Sequence, residues 1–465
     1  MKIQFCGAAR RVTGSKHLIT TQSGTKVLLD CGLFQGIDTQ ELNQSFGFDA
    51  SEIDFVILSH AHIDHTGLLP RLVRKGFNGQ IYCTEATASL CSVMLMDSAH
   101  IQETDLERVN ERRKRRGDEA LELLYDSDDV ENTLKMLVPV QYHQTFWLND
   151  GEIGLKYTDT GHILGSAAIH LSIKENNEIK RLTFSGDIGR PNDKILRDPE
   201  PFEQADFIIC ESTYGDRLHE PEPDMKAHLL KVVQETCVEK RGKLIIPAFA
   251  VDRTQELVYA LDQLSYSGQL PTIQVFIDSP LAIKATAIMK KHEECFNPEI
   301  LAYLKKDGDA FAFPNLKYVS DVNESKAINN IKEPCIIISA SGMAEAGRIK
   351  HHIKNNILDP KNTILIVGYC SPDSLGGALK RGDKEVRIFG ESFAVKAEVE
   401  VMDSFSAHAD YSEMIDYLKC QDAAKVQKLF LVHGEYDTQL SFKTKLEAEG
   451  FKNVEIPAMF ETVEV

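Results

Sequence analysis

No apolar run in this 465-residue sequence approaches the ~20 residues of a membrane-spanning helix, so a helical membrane protein is excluded. The first residues, "MKIQFCGAARRVTG", lack the long apolar core of a secretion signal, and the expected location is the cytoplasm. The ten cysteines show no CxxC pair and no regular spacing, which argues against a disulfide framework. Several lie in apolar strands, Cys210 and Cys335 among them, and read as reduced, buried thiols. Positive charge is also scarce. Lys and Arg total 52 against 70 Asp and Glu, a net charge of −18, which opposes a broad nonspecific grip on nucleic acid. Internal repeats and low-complexity linkers are absent, so no solenoid or tethered array is in view.

What the chain has is material for more than one core. Its length favours two or three domains, and 43% of its residues are hydrophobic. Residues 1 to about 60 alternate as short strands, "KIQFCG", "KHLITT", "TKVLLDCG" and "FVILSH", separated by Gly-containing turns. "TGLLPRLVRKG" predicts a short helix ending at Gly76, and a long charged helical region is expected from about 85 to 138. Strands resume at "GEIGLKYTDTGHILGSAAIHLSI" and "RLTFSGDIGR". This order suggests two β-sheet layers covered by helices. From about 215 helices and strands alternate, as in "RTQELVYALDQL" before "TIQVFIDSP" and "GRIKHHIKNNIL" before "TILIVGY". That rhythm predicts a mostly parallel sheet with right-handed crossovers. After about 395 the first pattern returns, so the second domain reads as an insertion into the first.

The chemistry concentrates in "SEIDFVILSHAHIDHTG", where His60, His62, Asp64 and His65 fall within six positions. With 15 His in 465 residues, about 3% per position, three specified histidines and an aspartate should coincide on the order of once in a thousand such chains. A polar turn after a buried strand is therefore the weaker reading, and metal binding the stronger. His60 and His62 follow "FVILS" at i and i+2, which points both to one side of a strand end. The turn that follows can aim Asp64 and His65 at a second metal. The spacing is not that of HExxH, in which a helix presents its ligands at i and i+4.

The remaining candidates share one local grammar: a polar group at or just beyond the end of an apolar strand. His162 stands in "DTGHILGSA", Asp187 in "LTFSGDIG", Glu211 in "FIICESTYG", His408 in "DSFSAHAD" and His433 in "KLFLVHGE". Gly161, Gly186 and Gly434 beside three of them permit close backbone approach. Taken singly, each has a plainer explanation: a core histidine, a turn aspartate, a capping glutamate, or helix N-capping within "SAHADYSEM". Their shared placement, together with the histidine cluster, makes convergence on one sheet rim the better account.

"HAHIDH" followed by His162 and Asp187 resembles the metallo-β-lactamase fold. The later run "ESTYGDR", "FAVDRTQEL", "DSPLA", "SASGM", "GRIKHH", "FSAHADY" and "LVHGE" closely resembles the β-CASP branch of that superfamily, over nearly the whole chain and in order. The branch includes the pre-mRNA 3'-end cleavage endonuclease and bacterial and archaeal RNA-processing nucleases. The resemblance implies an αββα sandwich formed by residues 1–214 and 396–465, with a β-CASP α/β domain inserted at 215–395. It implies two Zn²⁺, one held by His60, His62 and His162, the other by Asp64, His65 and His433, with Asp187 bridging; similar ligands accept Mn²⁺. Asp30 in "LLDCGLFQG" would support the histidine loop from behind. A histidine at position 62, where diiron flavoproteins of the superfamily carry Glu, favours zinc. A histidine at position 433, apolar in the DNA-directed branch, favours RNA. "GYCSPDSLGGAL" matches the family's pattern more loosely, and no KH-like extension of the archaeal kind precedes the chain, so selectivity is expected from this chain or a partner.

The activity so implied is hydrolysis of RNA phosphodiesters, leaving a 3'-hydroxyl and a 5'-phosphate. Asp64, Asp187, Glu211 and His408 are the expected catalytic groups, with His408 protonating the leaving oxygen and Glu211 orienting it. In the inserted domain, Ser341, Gly342, Arg348 and His352 are the expected RNA-binding residues, with Arg253 beside them, because backbone N–H groups at strand-to-helix junctions form anion sites. Arg348 and Lys350 read equally well as a solvated helix face, and the basic run from Arg112 to Arg116 as a solvated helix end. RNA is the expected partner, a membrane is not, and a homodimer is the assembly to test. The competing functions are a small-molecule hydrolase and a noncatalytic RNA-binding subunit. The inserted domain weighs against the first, and the complete ligand set against the second.

Overall fold

The computed structural model describes residues 1–36, 39–176, 178–219, 225–368, 370–402 and 407–465. Two compact units emerge, Met1–Leu218 with Ala407–Val465, and His219–Ser406.

The first unit contains two seven-stranded sheets. In one, strands Lys2–Phe5, His17–Thr20 and Lys26–Leu29 pair antiparallel, and Phe55–Ile57, Gln80–Cys83 and Leu137–Pro139 continue it in parallel. In the other, Ile153–Asp159, Ala167–Glu175 and Glu178–Phe184 pair antiparallel, and Phe207–Cys210 and Lys428–Leu431 extend the sheet in parallel from the last of these. Side-chain pattern follows burial. "FIIC" at Phe207–Cys210 is apolar throughout and buried on both faces, as a central parallel strand must be. The two sheets pack face to face over one core. Ile3, Ile19, Leu29 and Ile57 come from the first sheet, and Leu155, Ile169, Leu182, Ile209 and Phe430 from the second. The second sheet's other face, with Ile208, Cys210, Leu429 and Leu431, is covered by Met414 and Leu418 of helix Tyr411–Leu418 and by Phe442 and Leu446 of helix Tyr436–Ala448.

Strand direction positions the chemistry. Phe207–Cys210 and Lys428–Leu431 run parallel to Glu178–Phe184. Ile153–Asp159 runs the same way, since two antiparallel pairings separate it from Glu178–Phe184. Four strands of one sheet therefore end at one edge, and His162, Asp187, Glu211 and His433 all lie just past those ends. Strand Phe55–Ile57 of the facing sheet delivers His60.

The second unit is built on a six-stranded sheet, Leu316–Tyr318, Gln274–Ile277, Cys335–Ser339, Leu244–Pro247, Thr363–Val367 and Glu398–Met402 in spatial order, with every pairing parallel. The expected α/β alternation is present. Two expectations need correction. Strand Glu398–Met402 pairs with Thr363–Val367, so the second unit runs past 395 to Ser406; its β-rich sequence alone could not say which sheet it joins. The helical region expected over 85–138 is instead helix Glu85–Arg116, helix Ser127–Leu134 and strand Leu137–Pro139. Gly117, left-handed at φ 80°, ends the first helix, and an Asp126 capping box starts the second. The short helix before Gly76 forms at Leu69–Arg74. Nine of the ten cysteines are buried thiols, and Cys420 is exposed. Position 369 of "GYCSPDSLGGAL" and positions 403–406 of "DSFSAHAD" lie outside the described residues.

Candidate metal centre

The loop carrying the histidines is held by backbone contacts on both sides. The Ser15 N–H donates to the Asp64 carbonyl at 2.8 Å and the Gly32 N–H to the Ser15 carbonyl at 2.9 Å. A Cβ at Gly32 would lie 1.6 Å from the Asp64 carbonyl oxygen, so only glycine fits there. Gly186, at φ 57°, lets the chain before Asp187 pass over Ser59, where a Cβ would stand 2.6 Å from the Ser59 Cβ.

Two donor sets result. His60, His62, His162 and Asp187 form one, and Asp64, His65 and His433 the other, with the offered atoms of each set within 4.8 Å of one another. Asp187 also reaches the second set, its Oδ2 lying 3.3 Å from His65 Nε2 and its Oδ1 3.6 Å from His433 Nε2. A third set joins Asp187 to Glu211 and His408.

The hydrogen bonds facing away from the centre decide what the rings present to it. Asp30 is fully buried and accepts from the Ser59 N–H at 2.8 Å and from His65 Nδ1 at 2.7 Å. The Ser59 hydroxyl donates to Asp30 at 2.9 Å, so its oxygen accepts from His60 Nδ1 at 3.0 Å. The Thr213 hydroxyl donates to Glu211 at 2.6 Å and accepts from His433 Nδ1 at 3.0 Å. The Ala407 carbonyl accepts from His162 Nδ1 at 3.3 Å. Each neutral ring therefore turns an Nε2 lone pair inward. His62 is reversed and presents Nδ1, 3.1 Å from His60 Nε2 and 3.3 Å from His162 Nε2. His65 Nε2 and His433 Nε2 stand 3.2 Å apart.

Lone pairs aimed at one another across such distances repel unless cations lie among them. Asp187 Oδ1 reinforces the point: it is buried and has no hydrogen-bond partner. For three of the five rings the electrostatics agree, and His65 is the exception, its Nε2 free to ligate only where a cation displaces a proton. Burial, followed by the neighbouring imidazole charges, lowers the pKa values of His60 and His162, and burial lowers His62 to about 4, which leaves these rings neutral and able to ligate. Burial opposes charge on His65 too, yet Asp187 and Asp30 raise its pKa well above the imidazole norm. Asp187 is held far below the carboxylate range: burial opposes its charge, and the His433, His65 and His60 charges outweigh burial. This nitrogen and carboxylate donor set, without thiolates, fits divalent cations.

His408 lies beside the cluster, with Nδ1 3.2 Å from Glu211 Oε2 and 4.0 Å from Asp187 Oδ2. Burial disfavours its charge, but Glu211 and then Asp187 and Asp64 outweigh that, and the pKa rises to about 9. Glu211, wholly buried, also accepts from the Ile188 N–H.

In the second unit the expected RNA-binding residues are mostly engaged within the fold. Arg253 is 6% exposed and ion-paired with Glu256. His352 is fully buried, its Nε2 2.7 Å from Asp278 Oδ2 and its Nδ1 3.0 Å from Asn329 Oδ1. Arg348 donates to Asp278 at 2.6 Å and to the Ser320 carbonyl at 2.6 Å. Direct phosphate contact by Arg253 and His352 is therefore not what this geometry supports, because both heads are buried against protein partners. Ser341 stays partly exposed in its loop, and Gly342 lies against the Phe249 ring. Arg112 to Arg116 end helix Glu85–Arg116 and are exposed apart from the half-buried Arg113; the basic groups of the last turn, Arg113 to Arg116, suit the helix dipole. Sequence reasoning passed over Ser59, Thr213 and Asp278. Each sits beside or inside a quoted motif, but nothing in the order of residues shows that a hydroxyl will orient an imidazole, or that one aspartate will bind an arginine and a histidine at once.

Comparison with known proteins places this arrangement. Residues 13–225 match the Metallo-beta-lactamase superfamily, residues 254–379 the Beta-Casp domain, and residues 392–457 the Zn-dependent metallo-hydrolase RNA specificity domain. The chain is 34% identical to ribonuclease TTHA0252 of Thermus thermophilus, over 97% of each. It is 31% identical to the transcription termination factor FttA of Methanocaldococcus jannaschii, over 100% of this chain and 72% of that one. It is 28% identical to the cleavage and polyadenylation specificity factor 73 of Drosophila melanogaster, over 97% of this chain and 62% of the relative. With its inserted parallel-sheet unit and its histidine-aspartate clusters, the chain belongs to the β-CASP branch of the metallo-β-lactamase superfamily.

Proposed function

We propose that this protein is a metal-dependent ribonuclease that hydrolyses RNA phosphodiester bonds with two zinc ions held by His60, His62, His162, Asp64, His65, His433 and a shared Asp187. The observation that carries the reading is the convergence of five imidazole lone pairs and the unpartnered Asp187 Oδ1 beside the Glu211–His408 pair. The ribonuclease name of one relative and the cleavage and polyadenylation name of another support the substrate class.

A pair of divalent cations in these sites would supply water activation near neutral pH and neutralise charge on the phosphate oxygens. The chain's own residues do the rest. Asp30, Ser59 and Thr213 keep the imidazoles in their ligating tautomers. His408 is placed to donate a proton to the departing 3' oxygen, and Glu211 holds the ring and stabilises its charged form. The products are then a 3'-hydroxyl and a 5'-phosphate.

The test is incubation of metal-assayed protein with RNAs labelled at either end and with DNA of the same sequence. RNA cleavage that tracks metal content, with DNA left intact, is the expected result. Cleavage of neither, with hydrolysis of a thioester or lactam instead, would replace this reading with a small-molecule hydrolase.

A further inference from the structure

Within the second unit, strands Glu385–Ile388 and Glu391–Ala394 form a hairpin whose last pair is Ile388 with Glu391. The two loop residues, Phe389 and Gly390, both have positive φ, 53° and 84°. That is the backbone of a tight type I′ turn, which favours Asn-Gly or Asp-Gly. A bulky aromatic residue is disfavoured at positive φ, and here Phe389 also remains 48% exposed. Neither turn preference nor burial accounts for phenylalanine at this position.

Its neighbours are cationic. Lys350 Nζ lies 5.3 Å from the Phe389 ring centre and Lys354 Nζ 5.9 Å, with Lys354 also 5.3 Å from the ring of Phe393. The His351 ring tilts against Phe389 at 4.6 Å. Glu391 pairs with Lys354 at 3.0 Å, whereas no carboxylate among the described residues ion-pairs with Lys350. Burial, then the charges of His352, Lys354, Lys326 and Lys350, depress the His351 pKa, so the local field is positive on a chain of net charge −18.

We propose that Phe389, with Lys350 and the flanking His351 and Lys354, is a stacking site for single-stranded RNA, separate from the residues of the candidate metal centre. An exposed aromatic face beside ammonium groups takes one base by stacking and its phosphates by charge, with little regard to sequence. The proposal rests on the reading that the protein acts on RNA.

The experiment measures affinity of the full chain for fluorescent single-stranded oligouridylate and oligoadenylate bearing phosphorothioate linkages, and for a duplex of equal length. Phe389→Asn suits the turn, so its melting temperature should not fall. It should weaken single-strand binding about 5-fold or more while changing duplex binding less than about 2-fold. Lys350→Glu should weaken binding and flatten its salt dependence. Unchanged single-strand affinity in Phe389→Asn, equal losses on single strand and duplex, or loss of self-association instead would overturn the stacking site. If the wild-type chain cleaves RNA while Phe389→Asn binds normally, only this proposal fails. If the wild-type chain neither binds nor cleaves RNA, the ribonuclease reading falls with it.

Discussion

The Nδ1 atoms of His60, His65, His162 and His433 each donate outward, to Ser59, Asp30, Ala407 and Thr213, and a single change in those partners alters what the centre can hold. Asp30→Asn keeps the shape of the side chain but cannot accept every bond that Asp30 takes from Ser15, Ser59 and His65. Metal affinity should drop about 10- to 100-fold, read by competition with a chromogenic chelator, with the circular dichroism spectrum unchanged. His408→Ala should behave oppositely. It removes no member of the two donor sets, so metal content should hold while turnover falls by about 10²–10⁴. Full activity in that variant would reassign the acid. At this scale the sequence disclosed the candidate ligand types, because His and Asp at strand ends are visible in one dimension. The tautomers were not legible, since which group accepts from each Nδ1 (Asp30, Ser59, Ala407 or Thr213) is settled only when the fold brings them together.

Helix Tyr411–Leu418 begins three residues after His408, and its start is fixed by Asp410, whose carboxylate accepts from the Ser412 and Glu413 N–H groups while Glu413 reaches back to the Asp410 N–H. Asp410→Ala should cost about 1 kcal/mol in chemical denaturation. Because the cap anchors the segment carrying His408, turnover should fall with metal content retained; loss of stability alone would mean that His408 is held by Glu211 without the helix. N-capping was the plainer reading of "SAHADYSEM", and the Asp410 cap forms beside His408 without displacing it from the centre. The split of the 85–138 region was harder to read. Past Arg116, Leu121, Leu124 and Tyr125 recur at helical spacing in a stretch that is not helical, so the apolar pattern does not show where one helix stops and the next begins.

For the molecule as a whole, pH dependence of stability should carry a contribution from the second unit, far in sequence from the metal ligands. Asp262 is buried on helix Arg253–Tyr266 and accepts from the Tyr303 hydroxyl at 2.7 Å. Burial, then the charges of Asp307 and Asp309, raises its pKa from 3.8 to about 7, against the pull of that hydroxyl. The folded chain therefore binds a proton that the unfolded chain releases, and stability falls as pH rises from about 4 to about 7. Asp262→Asn, which can still accept from Tyr303, should be about 1–3 kcal/mol more stable than wild type at pH 8 and nearly equal to it at pH 4. A constant difference across that range, measured by urea denaturation, would refute the assignment.

The sequence by itself determined the element types, the insertion of an α/β unit into a β-rich one, and the residues proposed to bear the chemistry. These are local properties: alternation, apolar runs, glycine punctuation, and polar groups set just past strand ends. Sheet membership was decided only in three dimensions. Strand Glu398–Met402 joined the parallel sheet of the inserted unit because pairing depends on a partner strand, Thr363–Val367, that local pattern does not name. The same is true of accessibility. Arg253 and His352 looked available for phosphate, but Glu256, one helical turn from Arg253, and Asp278, 74 positions from His352, hold them; the burial of both pairs comes from packing that local pattern does not show.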